Sequence, residues 1–393
     1  MIKNLNRETS ITLVLDIIRK YGPINRCKIA KRTSLSPATV TNITDKLIKT
    51  GFICEIPTTI SKRGRRPINL VLSNKNHLSI GIEIDSRRIT GVIIGLSGDI
   101  VRKERVDINR STPKDIFKRS IELYNSLIRN LDKKSIIGLG IGIPGLIDSK
   151  NKKVLFSAVL GWKDVSVEEF FEAIDTPIFI EDNVRAITLG ELWYGAGIGR
   201  DNLLCIGAGR GISVGIVIDG SIYSGPNDRA GEFGHIVVEK DGKRCKCGNY
   251  GCLEAYVSTE AIIEKVLDGV KNNAYTGFSP KNENELFEEI IYTGKKGDKF
   301  ILNIFEEVGE YLGIGLANLI NLFNPELIIL ADELAKAGDL ILEPVKRTIR
   351  LHALPPIPEI VTSKLGTLAC AVGSATLAIK ELLYSRLDRY LGG

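Results

Sequence analysis

Short apolar runs alternate with helical stretches along residues 78–393, and this alternation constrains the fold more than any other feature of the chain. Strand-like runs include Leu78–Ile84, Ile136–Ile143 and Ile212–Ile218. Helical stretches such as Phe300–Leu322 and Ala369–Leu383 separate or follow such runs. Because strands that alternate with helices form sheets covered by helices, we expect an α/β body with mixed sheets.

The chain before this body is strongly basic. Residues 1–75 hold 15 Lys and Arg against 4 Asp and Glu, a net charge of +11, and the whole chain carries +6, which leaves −5 for the remainder. A basic segment joined to a mildly acidic body indicates a polyanionic partner for the first segment alone. An ordinary solvated basic face remains the alternative.

The basic segment has the pattern of helix, helix, turn and helix. Ile11, Val14 and Ile18 recur at helical spacing, and Gly22-Pro23 ends that helix. A second short helix is expected after Asn25, and Ser36-Pro37 supplies an N-cap and a first-turn proline for a third helix that ends near Gly51.

The third helix separates packing residues from polar ones. Val40, Ile43 and Leu47 fall on one face, and hydroxyl, amide and lysine side chains fall on the other, where they could contact base edges and phosphates. An ordinary amphipathic helix would show the same separation. The candidate DNA-contacting residues here are Ser36, Thr39, Thr41, Asn42, Lys46 and Lys49.

A cationic loop follows the third helix. Phe52–Ile56 and Ile68–Leu72 are strand-like and flank Ser61-Lys62-Arg63-Gly64-Arg65-Arg66-Pro67. This pattern indicates a winged helix-turn-helix over residues 1–75, with Arg63, Arg65 and Arg66 contacting phosphates or a narrow minor groove.

The apolar content and its distribution predict neither a membrane-spanning nor an exported protein. With 44% hydrophobic residues the chain can bury a sizeable core, but it has no run of about 18 apolar residues and a polar beginning without a signal-peptide pattern. We therefore expect a cytoplasmic protein without a membrane partner.

A cluster of thiols indicates metal rather than disulfides. Cys245, Cys247 and Cys252 lie within eight residues, and His235 precedes them in Ala-Gly-Glu-Phe-Gly-His. One imidazole and three thiolates form the closed tetrahedral shell that structural Zn²⁺ prefers, and clustered cysteines in a cytosolic chain favour this use. Reduced thiols beside an incidental histidine are the alternative.

The two blocks at 230–235 and 245–254, together with Gly142-Ile143-Pro144-Gly145 and Leu160-Gly161-Trp162, resemble the ROK family (repressors, open reading frames and kinases), in its xylose-repressor-like branch. The resemblance covers nearly the whole chain. It implies a two-lobed, actin-like or ribonuclease-H-like sugar-kinase body, with lobes at 78–200 and 201–368 and a C-terminal helix, 369–393, that returns to the first lobe.

The resemblance also implies the roles of particular residues. His235, Cys245, Cys247 and Cys252 would bind zinc. The residues that would contact a small-molecule sugar effector are Asp182, Asn183, Glu232, His235 and Glu254. Val159 replaces an asparagine with which the family contacts its sugar, so the effector could be unusual or weakly bound.

Four departures from the family's kinase motifs imply that ATP is no longer used. Phosphoryl transfer needs glycine-rich loops around the phosphates and a carboxylate base. Glu83-Ile84-Asp85-Ser86-Arg87 replaces the first phosphate loop, and Asp85 and Ser86 stand where the glycines belong. Asn183 takes the place of the catalytic aspartate, although Asp182 as the base stays open. Gly209-Arg210-Gly211 and Ala331-Asp332 are the other two departures.

The sequence therefore predicts a repressor that binds palindromic operator DNA as a homodimer or tetramer and responds to a sugar, with xylose as the family-level guess. A ROK sugar kinase with an appended DNA-binding head is the rival reading. A constitutive DNA-binding protein whose body only dimerises is the third. The sequence names neither the sugar, the operator nor the sign of control.

Overall fold

The computed structural model describes residues 7–57, 68–108, 112–272, 275, 285–385 and 387 of the chain. These divide into two compact units, which we call unit 1 (residues 1–194 and 370–393) and unit 2 (residues 195–369).

The part of unit 1 between residues 7 and 72, here called the head, consists of helices followed by a strand pair. Ser36 Oγ accepts a hydrogen bond from the Thr39 amide at 3.1 Å, and Asn25 Oδ1 accepts one from Lys28 at 3.0 Å, so both expected helix starts are confirmed. The loop that would form the wing, with Arg63, Arg65 and Arg66, lies outside the described residues. The elements are α1 (Arg7–Tyr21), α2 (Arg26–Thr33), α3 (Pro37–Lys49), β1 (Ile53–Pro57) and β2 (Ile68–Leu72).

Arg26 links three elements of the head. Its guanidinium donates to Thr44 Oγ1 at 2.9 Å and pairs with Asp45 at 3.0 Å and Glu55 at 2.9 Å. One side chain at the start of α2 therefore contacts both α3 and β1, while apolar residues such as Ile29, Val40 and Leu47 form the buried core of the head.

The rest of unit 1 up to residue 194 is an α/β lobe. The elements are β3 (Leu78–Ile84), β4 (Arg88–Ile94), β5 (Ile100–Asp107), α4 (Pro113–Leu127), β6 (Ile136–Ile143), β7 (Leu146–Asp148), β8 (Lys153–Ser157), β9 (Trp162–Ser166), β10 (Ile178–Asp182) and α5 (Asn183–Tyr194). The five-stranded sheet has the order β10-β6-β3-β4-β5, parallel across the first three strands and antiparallel across the last three, as expected for a mixed sheet. A separate antiparallel sheet has the order β7-β8-β9.

Unit 2 is a second α/β lobe. The elements are β11 (Leu203–Ala208), β12 (Ile212–Ile218), β13 (Ser221–Tyr223), α6 (Glu254–Val257), α7 (Thr259–Lys271), α8 (Leu286–Lys295), α9 (Lys299–Phe323), β14 (Leu327–Ala331), α10 (Gly338–His352) and β15 (Glu359–Thr362). The sheet has the order β13-β12-β11-β14-β15, and the long helix α9 packs beside α10 over an aliphatic core.

The last helix, α11 (Ala369–Ser385), returns the chain to unit 1 and lies directly on backbone. A Cβ added at Gly140 would lie 1.8 Å from the Ser374 carbonyl oxygen, and one at Gly81 would lie 1.9 Å from that of Ala371. Glycine is therefore required at these positions of β3 and β6, because a side chain there would prevent α11 from packing on the sheet. Residues 366–385 are apolar and long enough to cross a membrane, but most of this segment is buried within the protein, as in the core helix of a globular domain.

Candidate functional site

Four metal-ligating side chains of unit 2 converge on one point. The ligand atoms of His235, Cys245, Cys247 and Cys252 all lie within 4.8 Å of one another. Cys247 Sγ lies 3.7 Å from Cys252 Sγ, and Cys245 Sγ lies 3.9 Å from His235 Nδ1. A disulfide needs sulfurs about 2 Å apart, so this spacing is that of separate thiols around a common centre. The cluster could hold a metal ion.

Local backbone structure brings the four residues together. His235 ends a short 3-10 helix, Phe233–His235, and Val237 forms an isolated β-bridge with Cys252. Gly251 has a φ of +71°, and a Cβ there would lie 1.8 Å from the Glu239 carbonyl oxygen. Only glycine permits this close return of the loop, which places Cys252 beside the histidine.

The thiols differ in their ease of ionisation. Burial raises the pKa of Cys245 and raises that of Cys252 to about 12, whereas a hydrogen bond from the Asn249 backbone lowers the pKa of Cys247. Thiolates at the two buried positions therefore require a positive charge beside them, and a bound metal ion would supply it.

Two carboxylates surround the histidine of the cluster. Glu232 Oε2 lies 3.9 Å from His235 Nε2, on the ring nitrogen that does not face Cys245. Glu254, at the start of α6, accepts a hydrogen bond from the Ile212 amide at 3.2 Å, and its other oxygen lies 4.0 Å from Cys245 Sγ. The structure thus brings Glu232, His235 and Glu254 together, with Glu232 the most exposed.

Asp182 and Asn183 form the junction between β10 and α5 in unit 1. Asp182 Oδ1 accepts hydrogen bonds from the amides of Val184 at 2.9 Å and Arg185 at 3.2 Å, so it caps the helix. Asn183 Nδ2 donates to the Ile84 carbonyl at 3.3 Å, while its Oδ1 is buried without a hydrogen-bond partner among the described residues. A buried acceptor without a partner is costly.

The turn between β3 and β4 already contains an anion. Asp85 Oδ1 accepts from the Ser86 amide at 2.6 Å and from Ser86 Oγ at 3.2 Å. Backbone amides of this kind hold phosphate in nucleotide-binding loops. Here a carboxylate uses the amide and also pairs with Arg88 at 3.8 Å, so contacts within the protein occupy this turn.

A second carboxylate lies against the glycine loop of unit 2. A Cβ built on Gly209 would lie 2.7 Å from Asp332 Oδ2, and Asp332 itself has the strained φ of +66°. The loop's Arg210 pairs with Glu260 at 3.4 Å. In each of these two loops a carboxylate therefore lies against the backbone.

The third helix of the head presents its polar side chains to solvent. Ser36, Thr39, Thr41, Asn42 and Lys49 are exposed and Lys46 is half-buried, whereas Val40 and Leu47 are fully buried. All three hydroxyls make local bonds: Ser36 caps the helix, Thr39 Oγ1 lies 2.8 Å from Ser36 Oγ, and Thr41 Oγ1 donates to the Pro37 carbonyl at 2.9 Å. Asn42 is therefore best placed to contact an outside partner.

Comparison with known sequences identifies both parts of the chain. Residues 79–381 match the ROK family and residues 10–63 match the MarR family. The chain belongs to the ROK family. This ROK chain is 30% identical to the xylose repressor of Bacillus spizizenii over 97% of each chain. It is also 30% identical to the DNA-binding transcriptional dual regulator NagC of Escherichia coli, over 100% of this chain and 96% of the relative.

Solved ROK structures include both regulators and kinases. A ROK transcriptional regulator, a homologue of the E. coli protein MLC, superposes with a TM-score of 0.80 and 28% identity over 98% of this chain and 99% of its own. A ROK glucokinase from Streptomyces griseus, solved with glucose and AMPPNP, gives a TM-score of 0.69 and 28% identity over 77% of this chain and 99% of its own. The kinase likeness thus covers less of the chain than the regulator likeness does.

The sequence did not predict the contacts that Asp332 and Arg19 make. The positive φ of Asp332 and its approach to Gly209 depend on the meeting of two strands. Arg19 in α1 stacks on Trp193 in α5, residues far apart in the chain. A local pattern carries no signal for either contact.

We predict that Asp182→Asn changes how stability depends on pH. Burial raises the pKa of Asp182 to about 6 from 3.8, so the native state binds this proton more tightly than the unfolded state does. That stabilisation is complete below about pH 4 and is lost as the pH rises through about 6. The amide keeps a capping oxygen without charge, so the melting temperature of the variant relative to wild type should rise between pH 5 and pH 8.

Thermal melting followed by circular dichroism measures this difference. Asp132→Asn is the control, because Asp132 also caps a short helix, accepting from the Lys134 amide at 3.0 Å, but in an exposed position. A difference between Asp182→Asn and wild type that stays constant across this pH range would contradict the assignment.

Proposed function

We propose that this chain, a sugar-responsive transcriptional repressor, acts in the cytoplasm by binding a palindromic operator as a homodimer and releasing it when a sugar occupies the body. The observation that carries the proposal is the outward polar face of α3 in the head, joined to a body whose phosphate-binding turns contain carboxylates. The xylose repressor and NagC support it as relatives that regulate transcription and match over almost the whole chain.

DNA recognition would use the exposed side chains of α3. Thr39 and Asn42 lie near its N-terminal end, which is the part of a recognition helix that meets base edges in the major groove. An asparagine amide can make two hydrogen bonds to adenine. Lys46 and Lys49, further along, would hold phosphate, as would Arg63, Arg65 and Arg66 of the wing.

The effector site would use carboxylates and one imidazole. In unit 2, Glu232 and Glu254 can each accept hydrogen bonds from vicinal hydroxyls of a sugar. In unit 1, Asp182 can accept such bonds and Asn183 can both donate and accept. His235 would contact the sugar through Nε2, since Nδ1 faces the thiol cluster. The names of the relatives suggest D-xylose and N-acetylglucosamine as the sugars to try first.

An exposed apolar patch of unit 2 supports self-association. Leu322, Leu351 and Leu354 are 75–77% exposed. Asn321 joins them, because it donates to the His352 carbonyl at 3.3 Å and accepts from the Leu354 amide at 2.8 Å. Exposed apolar side chains grouped in this way mark interaction surfaces, and a two-fold dimer is what two operator half-sites require.

The metal in the cluster would be structural zinc. Zn–S bonds of about 2.3 Å in a tetrahedron set neighbouring sulfurs about 3.8 Å apart. The 3.7 Å between Cys247 and Cys252 fits this value. When bound, the ion would supply the positive charge that keeps Cys245 and Cys252 as thiolates, and ligation would fix the His235 ring with Nε2 directed at the sugar.

We predict that Asn42→Ala changes the DNA sequence that the protein selects. Loss of a bidentate contact to one base should reduce discrimination at one operator position by about 1 to 3 kcal/mol. Selection from a random DNA pool with the full chain measures this, with Asn151→Ala, an exposed asparagine of the body, as the control. The same selected site for wild type and Asn42→Ala would refute base reading by Asn42.

We also predict that Glu232→Ala abolishes release by sugar without abolishing operator binding. Fluorescence anisotropy of the selected operator, with and without D-xylose or N-acetylglucosamine, measures release. A thermal shift measures sugar binding directly, because a ligand of the folded state stabilises it by RT ln(1 + [L]/Kd). Release of DNA by the variant at the wild-type sugar concentration would contradict the assigned role of Glu232.

We predict that wild type contains about one equivalent of zinc per chain. Cys247→Ser should lose this zinc, and the body of the variant should melt at a lower temperature than that of wild type. Elemental analysis of freshly reduced protein measures the metal, and Cys27→Ser, an exposed cysteine of the head, is the control. Operator binding by Cys247→Ser should persist, since the head contains none of the four ligands. Freshly reduced wild type without zinc would refute the site.

The rival proposal is a sugar kinase with an appended head, supported by the structural likeness to the glucokinase. We predict that neither wild type nor Asn183→Asp phosphorylates sugars, because a restored base leaves Asp85 and Asp332 where phosphates would bind. A coupled ATPase assay with a panel of sugars decides this. Turnover by wild type, or ATP binding with micromolar affinity, would favour the kinase.

A further inference from the structure

Arg19 of the head contacts the body through a stacked ion pair. Its guanidinium carbon lies 4.3 Å from the centre of the Trp193 ring, and its Nε and Nη2 donate to Asp16 Oδ1 at 3.1 and 2.6 Å. The Arg19 side chain is only 7% exposed. A cation held between a carboxylate and an indole face is stabilised by both and has little freedom to move.

The same carboxylate is held by the last helix of the chain. Tyr384 Oη, near the end of α11, donates to Asp16 Oδ1 at 2.9 Å, and the Tyr384 ring meets Trp193 edge-on with centres 6.3 Å apart. We call Asp16, Arg19, Trp193 and Tyr384 the latch. It joins α1 of the head to the ends of α5 and α11.

Both helices lead from the latch to the residues proposed to contact sugar. Trp193 is near the end of α5, and Asp182 and Asn183 are at its start, so one helix of 12 residues, about 18 Å long, spans the distance. Helix α11 lies on α5 without a gap, because a Cβ at Gly373 would be 1.7 Å from the Ala186 carbonyl oxygen. Closely packed helices transmit a shift at one end instead of absorbing it.

The start of α5 is sensitive to what Asp182 binds. The Asp182 carboxylate already accepts from two amides of the first helical turn. A sugar hydroxyl that donates to the other carboxylate oxygen would withdraw negative charge from Oδ1, weaken its two amide hydrogen bonds and change the position of that turn. Asn183, with its unsatisfied buried Oδ1, is the next residue and the first of the helix.

We infer that α5 and α11 transmit effector binding at Asp182 and Asn183 to the DNA-binding head, and that Arg19, stacked on Trp193, is the residue that couples them. This inference rests on the proposed function, because it names the route by which a sugar changes operator affinity. It assigns no base contact and no sugar contact to the latch. Its residues are positioning residues, and their loss should change coupling while leaving both binding sites in place.

The experiment compares operator affinity with and without saturating D-xylose or N-acetylglucosamine in the full chain. Couplings between sites are typically about 5- to 150-fold in affinity. In Arg19→Gln and Trp193→Leu the fold-change caused by sugar should fall to near one, while the sugar Kd without DNA, from calorimetry, stays within about threefold of wild type. Arg19→Lys and Trp193→Phe, which keep a cation or a ring, should retain part of the coupling.

Two control variants remove similar interactions elsewhere. Arg32→Gln removes a cation stacked 3.8 Å from the Tyr21 ring, a pair confined to the head. Tyr124→Phe removes a hydroxyl that lies 2.7 Å from Thr176 Oγ1 within the first lobe. Both control variants should keep the wild-type fold-change in operator affinity.

Tyr384→Phe deletes one hydrogen bond within the latch. The substitution is small enough for the protein to fold, and it should lower the fold-change in operator affinity caused by sugar.

A second measurement separates failure of the latch from failure of the effector proposal. If neither sugar changes operator affinity of wild type, the assigned effectors are wrong, and hydrogen exchange then tests the latch by itself. Operator DNA should slow amide exchange in residues 183–194 of wild type and of Arg32→Gln, but not of Arg19→Gln. Two results would overturn the inference. One is a wild-type effect of sugar on operator affinity in folded Arg19→Gln and Trp193→Leu. The other is equal amide exchange in wild type and Arg19→Gln with operator DNA.

Discussion

The arrangement of unit 1 depends on the close contact between α11 and bare backbone. Gly81 on β3 and Gly140 on β6 leave no side chain between sheet and helix, and Gly373 on α11 does the same against α5. Glycine destabilises the strands and helices that contain it. Here the close packing of α11 on the sheet and on α5 offsets that destabilisation. This contact places the end of α11 beside the head and keeps α5 and α11 together as one packed pair.

The body has a ROK sugar-kinase-like fold. Phosphoryl transfer needs preorganised donors around the nucleotide phosphates. At the turn after β3, the amide of Ser86 binds the Asp85 carboxylate, and in unit 2 the Asp332 carboxylate lies against Gly209. Under the proposed function, carboxylates at these positions would oppose a polyphosphate and remain suitable for neutral hydroxyls, which would favour sensing over catalysis on the same scaffold.

Arginines in the head serve different purposes according to their surroundings. Arg26 forms ion pairs with Asp45 and Glu55 and fixes the relation of α2, α3 and β1. Arg19 is buried against Trp193 and binds Asp16, so its charge is used within the protein. The net charge of +11 for residues 1–75 already subtracts Asp16, Asp45 and Glu55, so these ion pairs leave it unchanged and only fix where the remaining cations lie.

The sequence by itself determined the features that depend on neighbouring residues. Helix starts at Asn25 and Ser36, the strand periodicity and the mixed α/β body are confirmed, because capping and side-chain alternation are local. The clustering of His235 with the three cysteines was also predictable from their spacing and composition. Tertiary structure alone decided which distant segments come into contact. The examples are the approach of Asp332 to Gly209, the packing of α11 on the glycines of β3 and β6, and the stacking of Arg19 on Trp193. These contacts join residues over a hundred positions apart, and their energies depend on packing geometry that no local pattern encodes.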